Sequence, residues 1–258
     1  MSVLCCSDLH GRLDLYEQIK AFLKPDDMVY FLGDAGDRGP QPWETIKAIY
    51  NDPQFIYIKG NHEDMLTNLM KADLDKVPNY EEYTLVSWNG GGDTYRGWLA
   101  ENEDDRKEWY RRLKHLSTWR TYTNPDNILI WLTHAGFTPD EQTRRGVLPN
   151  DYDLVWSRAH FNAEWRGMEN EIVIHGHTPI PSLIKDVNDF VETFMFDTNE
   201  YIWKEWDGGA LWYCNNHKVC IDCGAAWYDC CVLFDLDTFD EHIFQGKDFK
   251  EEFLTEAW

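Results

Sequence analysis

One pattern constrains this chain more than any other, and it recurs five times. A short apolar run, bounded by turn residues, ends two or three positions before a side chain able to hold a metal ion. Val3 to Cys6 leads to Asp8 and His10, Met28 to Leu32 to Asp34, and Phe55 to Ile58 to Asn61. Ile128 to Leu132 leads to His134, and Ile172 to Ile174 to His177. The runs are brief and rich in Val, Ile, Tyr and Phe, which favours buried strands over helices. Helical periodicity fills the gaps. Leu13, Leu15, Ile19, Phe22 and Leu23 form one apolar face before Pro25. Trp43, Ile46, Ile49 and Tyr50 form a second after Pro40 and Pro42, and Met65, Leu66, Leu69 and Met70 a third after Asn61. Strand and helix alternating at this spacing predict an α/β fold with parallel strands and crossover helices. In such sheets ligands gather beyond the carboxyl ends of the strands, which is where the polar residues fall.

Taken together, Asp8, His10, Asp34, Asn61, His134 and His177 offer carboxylate, amide and imidazole donors and no thiolate. That set suits manganese, iron or zinc better than calcium or a closed structural zinc site. A central carboxylate could bridge two ions, and a pair of metals can acidify a water and clamp a phosphoryl group. His175 lies beside His177, but strand alternation turns adjacent side chains to opposite faces, so it is excluded from the set.

The rest of the composition narrows the setting. A length of 258 residues with 43% apolar content fits one domain, 1–258. No apolar run is long enough to cross a bilayer, so no membrane partner is expected. The formal net charge is −22, which argues against a nucleic-acid partner and obliges any phosphate site to reverse the sign locally. Seven cysteines, including Cys5-Cys6, Cys220, Cys223 and Cys230-Cys231, read as reduced, buried thiols. Cys220-Ile-Asp-Cys223 has no second pair to complete a tetrahedral zinc site. Met1 to Asp8 has neither a basic start nor a long apolar segment, so no leader is expected and a cytoplasmic location is. Glu101 to Leu116, acidic first and basic last, reads as a helix with Trp109, Leu113 and Leu116 inward. His217 to Asp222 and Cys230 to Leu236 read as strands, and oligomeric state is left open.

Ser7-Asp8-Leu9-His10-Gly11, Gly33-Asp34-Ala35-Gly36-Asp37-Arg38-Gly39 and Gly60-Asn61-His62-Glu63 resemble the three signature blocks of the PPP-type serine/threonine phosphoprotein phosphatases. Those enzymes are calcineurin-like metallophosphoesterases. His134-Ala135-Gly136, Trp156-Ser157-Arg158 and Gly176-His177-Thr178-Pro179 match later blocks in order, and Ile221-Asp222-Cys223-Gly224-Ala225 resembles the last core strand. Asn89-Gly90-Gly91 and the short chain are similar to the bacterial and bacteriophage branch.

The resemblance implies a central β-sandwich flanked by helices and two divalent transition-metal ions, manganese foremost, with iron or zinc as alternatives. It implies that Asp8, His10 and Asp34 hold the first ion, while Asp34 bridges to a second completed by Asn61, His134 and His177. A bridging hydroxide would attack phosphorus directly. Arg38 and Arg158 would bind the phosphate oxygens, His62 would protonate the departing oxygen, and Asp37 would orient His62. The substrate implied is a phosphorylated protein or a small phosphoester. A dinucleoside polyphosphate hydrolase of diadenosine tetraphosphate type is the alternative, although alanine is typical there where this chain has Asp37. A catalytically silent metal-binding scaffold is the alternative of another class.

Three departures from the pattern stand out: Ser7 replaces a glycine, Gly36 an apolar residue, and Cys223 a frequent threonine. Between Pro179 and Cys220 the chain is longer than the compact bacterial branch. An aromatic-rich insertion near 187–216 carries Phe194, Phe196, Tyr201, Trp203, Trp206, Trp212 and Tyr213, and Gly208-Gly209 suggests its hairpin tip.

Overall fold

The computed structural model describes residues 1–185 and 208–247. Two five-stranded sheets lie at its centre. In the first, β1 (Val3–Cys6), β2 (Met28–Phe31) and β3 (Phe55–Tyr57) run parallel. Antiparallel β9 (Cys230–Asp235) and β10 (Glu241–Gln245) extend it beside β1. In the second, β5 (Leu129–Thr133), β6 (Glu171–His175) and β8 (Lys218–Cys220) run parallel. Its edges are antiparallel β4 (Trp119–Thr123) and β7 (Leu211–Tyr213). Each sheet therefore contributes three parallel strands whose carboxyl ends can serve one site.

Alternation along the strands separates two cores. Val3, Cys5, Ile130, Leu132, Ile172, Ile174, Val219, Val232 and Phe234 face inward and pack sheet against sheet. The intervening Leu4, Cys6, Cys231 and Leu233 face the helices of the first layer. Those are α1 (Leu13–Phe22), α2 (Pro42–Asn51) and α3 (Asn61–Leu74), followed by α4 (Tyr80–Trp88), α5 (Gly92–Leu99) and α6 (Glu103–Lys114). Trp131 and Val173 lie on the outer face of the second sheet. Short helices α7 (Glu141–Arg144), α8 (Asp151–Trp156) and α9 (Ile180–Lys185) and a 3₁₀ turn (Ala159–Asn162) belong to that half, and α10 (Ala225–Tyr228) precedes β9.

Strands β1, β2, β3, β5, β6, β8 and β9 agree with the expected runs to within a residue or two and the first three helices form where expected, whereas β4, β7 and β10 were not among the expected strands. In α1 the inward face is narrower than expected: Leu15 and Ile19 are buried, whereas Phe22 is exposed. Helices α4 and α5 were not among the expected elements: in α4 polar and apolar residues are mixed around the circumference, and α5 is only eight residues long, with Thr94 and Trp98 buried. Of the aromatic-rich stretch, residues 187–207 lie outside the described residues. Gly208-Gly209 leads into β7, and the turn joining β7 to β8 is Cys214–His217. There Cys214, Asn215 and Asn216 all adopt left-handed backbone, a conformation asparagine tolerates well.

Candidate metal centre

The two sheets meet at the carboxyl ends of their parallel strands. His134, leaving β5, turns Nδ1 to the Leu32 carbonyl of the other sheet (2.7 Å). The His177 amide, beyond β6, donates to Asp8 Oδ2 beyond β1 (3.0 Å). The backbone bends sharply to achieve this. Asp8, His10, Asp34 and His177 all have positive φ, between 44° and 68°. Each such residue costs of order 1–3 kcal/mol, so surrounding contacts must over-determine the geometry. Glycines make room for those contacts. A Cβ on Gly60 would lie 2.1 Å from Asp34 Oδ1, and one on Gly176 would lie 2.0 Å from Asp8 Oδ2.

All six expected donors are brought together. Asp34 Oδ2 lies 3.7 Å from His10 Nε2 and 3.4 Å from His134 Nε2. Asn61 Oδ1 lies 2.9 Å from both His134 Nε2 and His177 Nδ1. Asp8 Oδ1 lies 3.9 Å from His10 Nε2. Two three-residue groups have donor atoms within 4.8 Å of one another: His10, Asp34 and His62, and Asp34, His134 and His177. Asp34 belongs to both, the place a bridging carboxylate would take.

Tautomers follow from the backbone. His10 gives its Nδ1–H to the Gly36 carbonyl (3.0 Å), His134 gives its own to Leu32, and His177 gives Nε2–H to Trp156 (3.1 Å). Each imidazole is thereby left with a lone pair directed inward, as outer hydrogen bonds arrange in metal sites. His175, by contrast, turns its Nε2 to the Tyr213 hydroxyl (2.7 Å).

Carboxylates crowd the same space. Burial and then the charge of Asp222 push the Asp8 carboxyl well up, and burial pushes Asp222 up to about 7. For Asp34, burial opposes ionisation, but His134, His62 and His10 outweigh it and hold the carboxyl well below the usual range. Asp8 Oδ1 is buried with no hydrogen-bond partner among the described residues. An orphaned carboxylate oxygen, three inward lone pairs and a shared Asp34 fit a pair of divalent cations.

Above this cluster His62 Nδ1 donates to Asp37 Oδ2 (2.5 Å), and Thr94 Oγ1 donates to the other Asp37 oxygen. Arg38 donates to His10 Nε2 (2.6 Å) and to His62 Nε2 (2.9 Å). Arg158 donates through Nε to Thr178 Oγ1 (3.1 Å), beside His177. Burial would lower the His62 pKa, but Asp34 and the Asp37 hydrogen bond outweigh it and raise the value.

Sequence reasoning missed several residues. Glu63 accepts from the amides of Asp34 (2.9 Å), Ala35 (3.0 Å) and Gly60 (2.9 Å) and from the Tyr57 hydroxyl (2.7 Å). Its signal was available, since a glutamate in the first turn of a predicted helix is a capping residue. Asp222, beyond β8, is a sixth strand exit inside a segment already singled out. Thr94 had no local signal.

The sequence of residues 1–214 matches the model of the calcineurin-like phosphoesterases. The chain belongs to that family. Members hydrolyse phosphoesters with divalent metal ions, and the two donor groups are candidate metal-binding clusters. Solved structures share the fold at low identity. A candidate diadenosine tetraphosphatase superposes with a TM-score of 0.58 at 14% identity, over 95% of this chain and 94% of its own. A variant of a cold-active protein tyrosine phosphatase gives 0.53 at 17%, over 95% and 77%. A protein serine/threonine phosphatase from Saccharomyces cerevisiae gives 0.50 at 12%, over 97% and 82%. No helix among the described residues is long and apolar enough to cross a membrane.

Proposed function

We propose that this phosphoesterase is a phosphomonoesterase that removes phosphate from phosphoserine and phosphothreonine, as the PPP-type enzymes do. Asp8, His10 and Asp34 would hold one divalent ion, and Asp34, Asn61, His134 and His177 a second, with manganese expected and iron or zinc as alternatives. Bound there, the ions supply an acidified water for in-line attack and stabilise charge on the phosphoryl group. Arg38 and Arg158 present planar donors suited to the non-bridging oxygens. With His10 Nε2 given to a cation, the N–H that now meets it is free, and a phosphoryl group reaching Arg38 would take that N–H and the one now made to His62. His62 Nε2 is then free to carry a proton, while Asp37 fixes the opposite side of the ring.

The Asp37–His62 pair is the observation that carries this reading. A serine or threonine alkoxide is a poor leaving group and needs a proton as it departs. A nucleotide leaving through a phosphate oxygen is acidic enough to depart with far less help. A positioned donor therefore favours the alkyl monoester over the dinucleoside polyphosphate. Incubating the manganese-loaded chain with a phosphoserine peptide and, separately, with diadenosine tetraphosphate tests the choice by product analysis. Inorganic phosphate released from the peptide is expected. Mononucleotides from the dinucleotide, with the peptide untouched, would overturn the reading.

A further inference from the structure

Beside the metal centre lies a cavity of about 540 Å³ whose lining includes Arg38, Pro40, Trp227, Arg12, Asp14 and Asp229. That volume is far more than a phosphoryl group needs and falls in the range of small-molecule sites. Arg38 forms its inner end. The guanidinium carbon lies 4.4 Å from the centroid of the Trp227 ring, while the nitrogens point at His10 and His62. Among the described residues this guanidinium has no carboxylate within 4.0 Å, and the indole face covers it at a distance suited to a cation–π contact.

Trp227 is an unusual wall. It is 52% exposed, whereas Trp43, Trp98 and Trp109 of the same layer are buried and Trp88, at the end of α4, is more exposed still. Its position is nevertheless fixed. Helix α10, which carries it, has left-handed residues on both sides, Gly224 at φ 72° and Asp229 at φ 57°. The Gly224 amide donates to Asp222 Oδ1 (2.9 Å) and the Gly246 amide to the Asp229 carbonyl (2.8 Å). Arg12 donates to the Ala225 carbonyl (3.2 Å) and pairs with Asp229. An exposed indole clamped at both ends of its turn is pre-organised for a ligand.

The charges around it are largely satisfied. Arg12 makes a two-pronged pair with Asp14 (2.9 and 2.7 Å) in addition to its pair with Asp229. What this part of the cavity presents beyond Arg38 is a planar aromatic surface and the ring of Pro40, with the exposed Lys247 as a further cation in the lining.

We propose that Trp227 is a specificity-determining residue, and that the cavity it walls receives the alcohol side of the phosphoester and selects a planar aromatic group there. The inference rests on the reading of Arg38 as a phosphate ligand. It does not depend on whether the natural ester is phosphoserine.

Calorimetric binding of 2-phenylethylphosphonate and propylphosphonate to the manganese-loaded chain tests it. Their acid groups ionise alike, and neither is hydrolysed. The unaltered protein should bind the phenyl compound roughly three- to tenfold more tightly, the worth of an aromatic pair. Trp227→Phe should keep the preference, and Trp227→Leu should abolish it, so that the two phosphonates bind alike. Equal binding by the unaltered protein, a preference that survives in Trp227→Leu, or an equal loss of both ligands in that variant would overturn the proposal. Failure of phosphoserine turnover with the preference intact would remove the proposed function and leave the subsite standing.

Discussion

His62 and Arg38 share one electrostatic problem. His62 sits over buried Asp34, and Arg38 fills His62 Nε2 with a donor that must leave before the imidazole can hold a proton there. In the proposed mechanism phosphate binding and proton donation are thus coupled through a single guanidinium. His62→Asn removes the proton while retaining bulk and a hydrogen-bonding group toward Asp37. Metal content measured by atomic emission should be unchanged, and turnover of an alkyl phosphate should fall about 100-fold or more. An aryl phosphate, whose leaving oxygen is already acidic, should slow much less. Equal slowing of the two would remove His62 from the role of proton donor.

Strand exits create this arrangement, and they explain what could be read in advance. Five of the six exits announced themselves, because each pairs a run of β-formers with a donor a fixed distance beyond it. Asp222 was harder to recognise: β8 is only three residues long, and no imidazole follows it. Trp227 and Thr94 act through contacts distant in sequence, Trp227 with Arg38 and Thr94 with Asp37, and no local pattern encodes either. Glu63 ties the β2 exit to the start of α3. Glu63→Ala leaves three backbone amides and the Tyr57 hydroxyl without their acceptor in a buried space. A loss of roughly 3 kcal/mol or more in urea unfolding is expected, since each orphaned group costs about 1–3 kcal/mol. Metal affinity should fall with it, because two of those amides belong to Asp34 and Ala35. A change below about 1 kcal/mol would mean that water replaces the carboxylate at little cost.

Buried thiols set a limit on the chain's stability at high pH. Burial raises Cys5, Cys220 and Cys231, and Cys223 is raised first by its Cys230 neighbour and then by burial. The folded state keeps these protons when the unfolded chain, with ordinary thiols, has begun to release them near pH 9. Unfolding therefore releases protons, and stability falls as pH rises beyond that point, by about 1.4 kcal/mol per unit for each such thiol. Under reducing conditions the melting temperature should decline from about pH 9 upward. Cys231→Ala should decline less steeply even if it starts lower.

The net charge of −22 acts at longer range. Arg38 and Arg158 reverse the sign only within the site, so a phosphopeptide must first cross a repulsive field set by the envelope. Flanking lysines turn that repulsion into attraction, and flanking aspartates deepen it. Added salt shortens the reach of both effects from about 30 Å at 0.01 M to about 8 Å at physiological strength. Raising salt should therefore lower kcat/KM for a lysine-flanked phosphoserine peptide and raise it for an aspartate-flanked one, so that the two converge. kcat should move little in either case, because the field acts on encounter rather than on bond breaking. Salt responses of the same sign for both peptides would show that the acidic envelope serves solubility alone, and would place substrate choice entirely in the walls of the site.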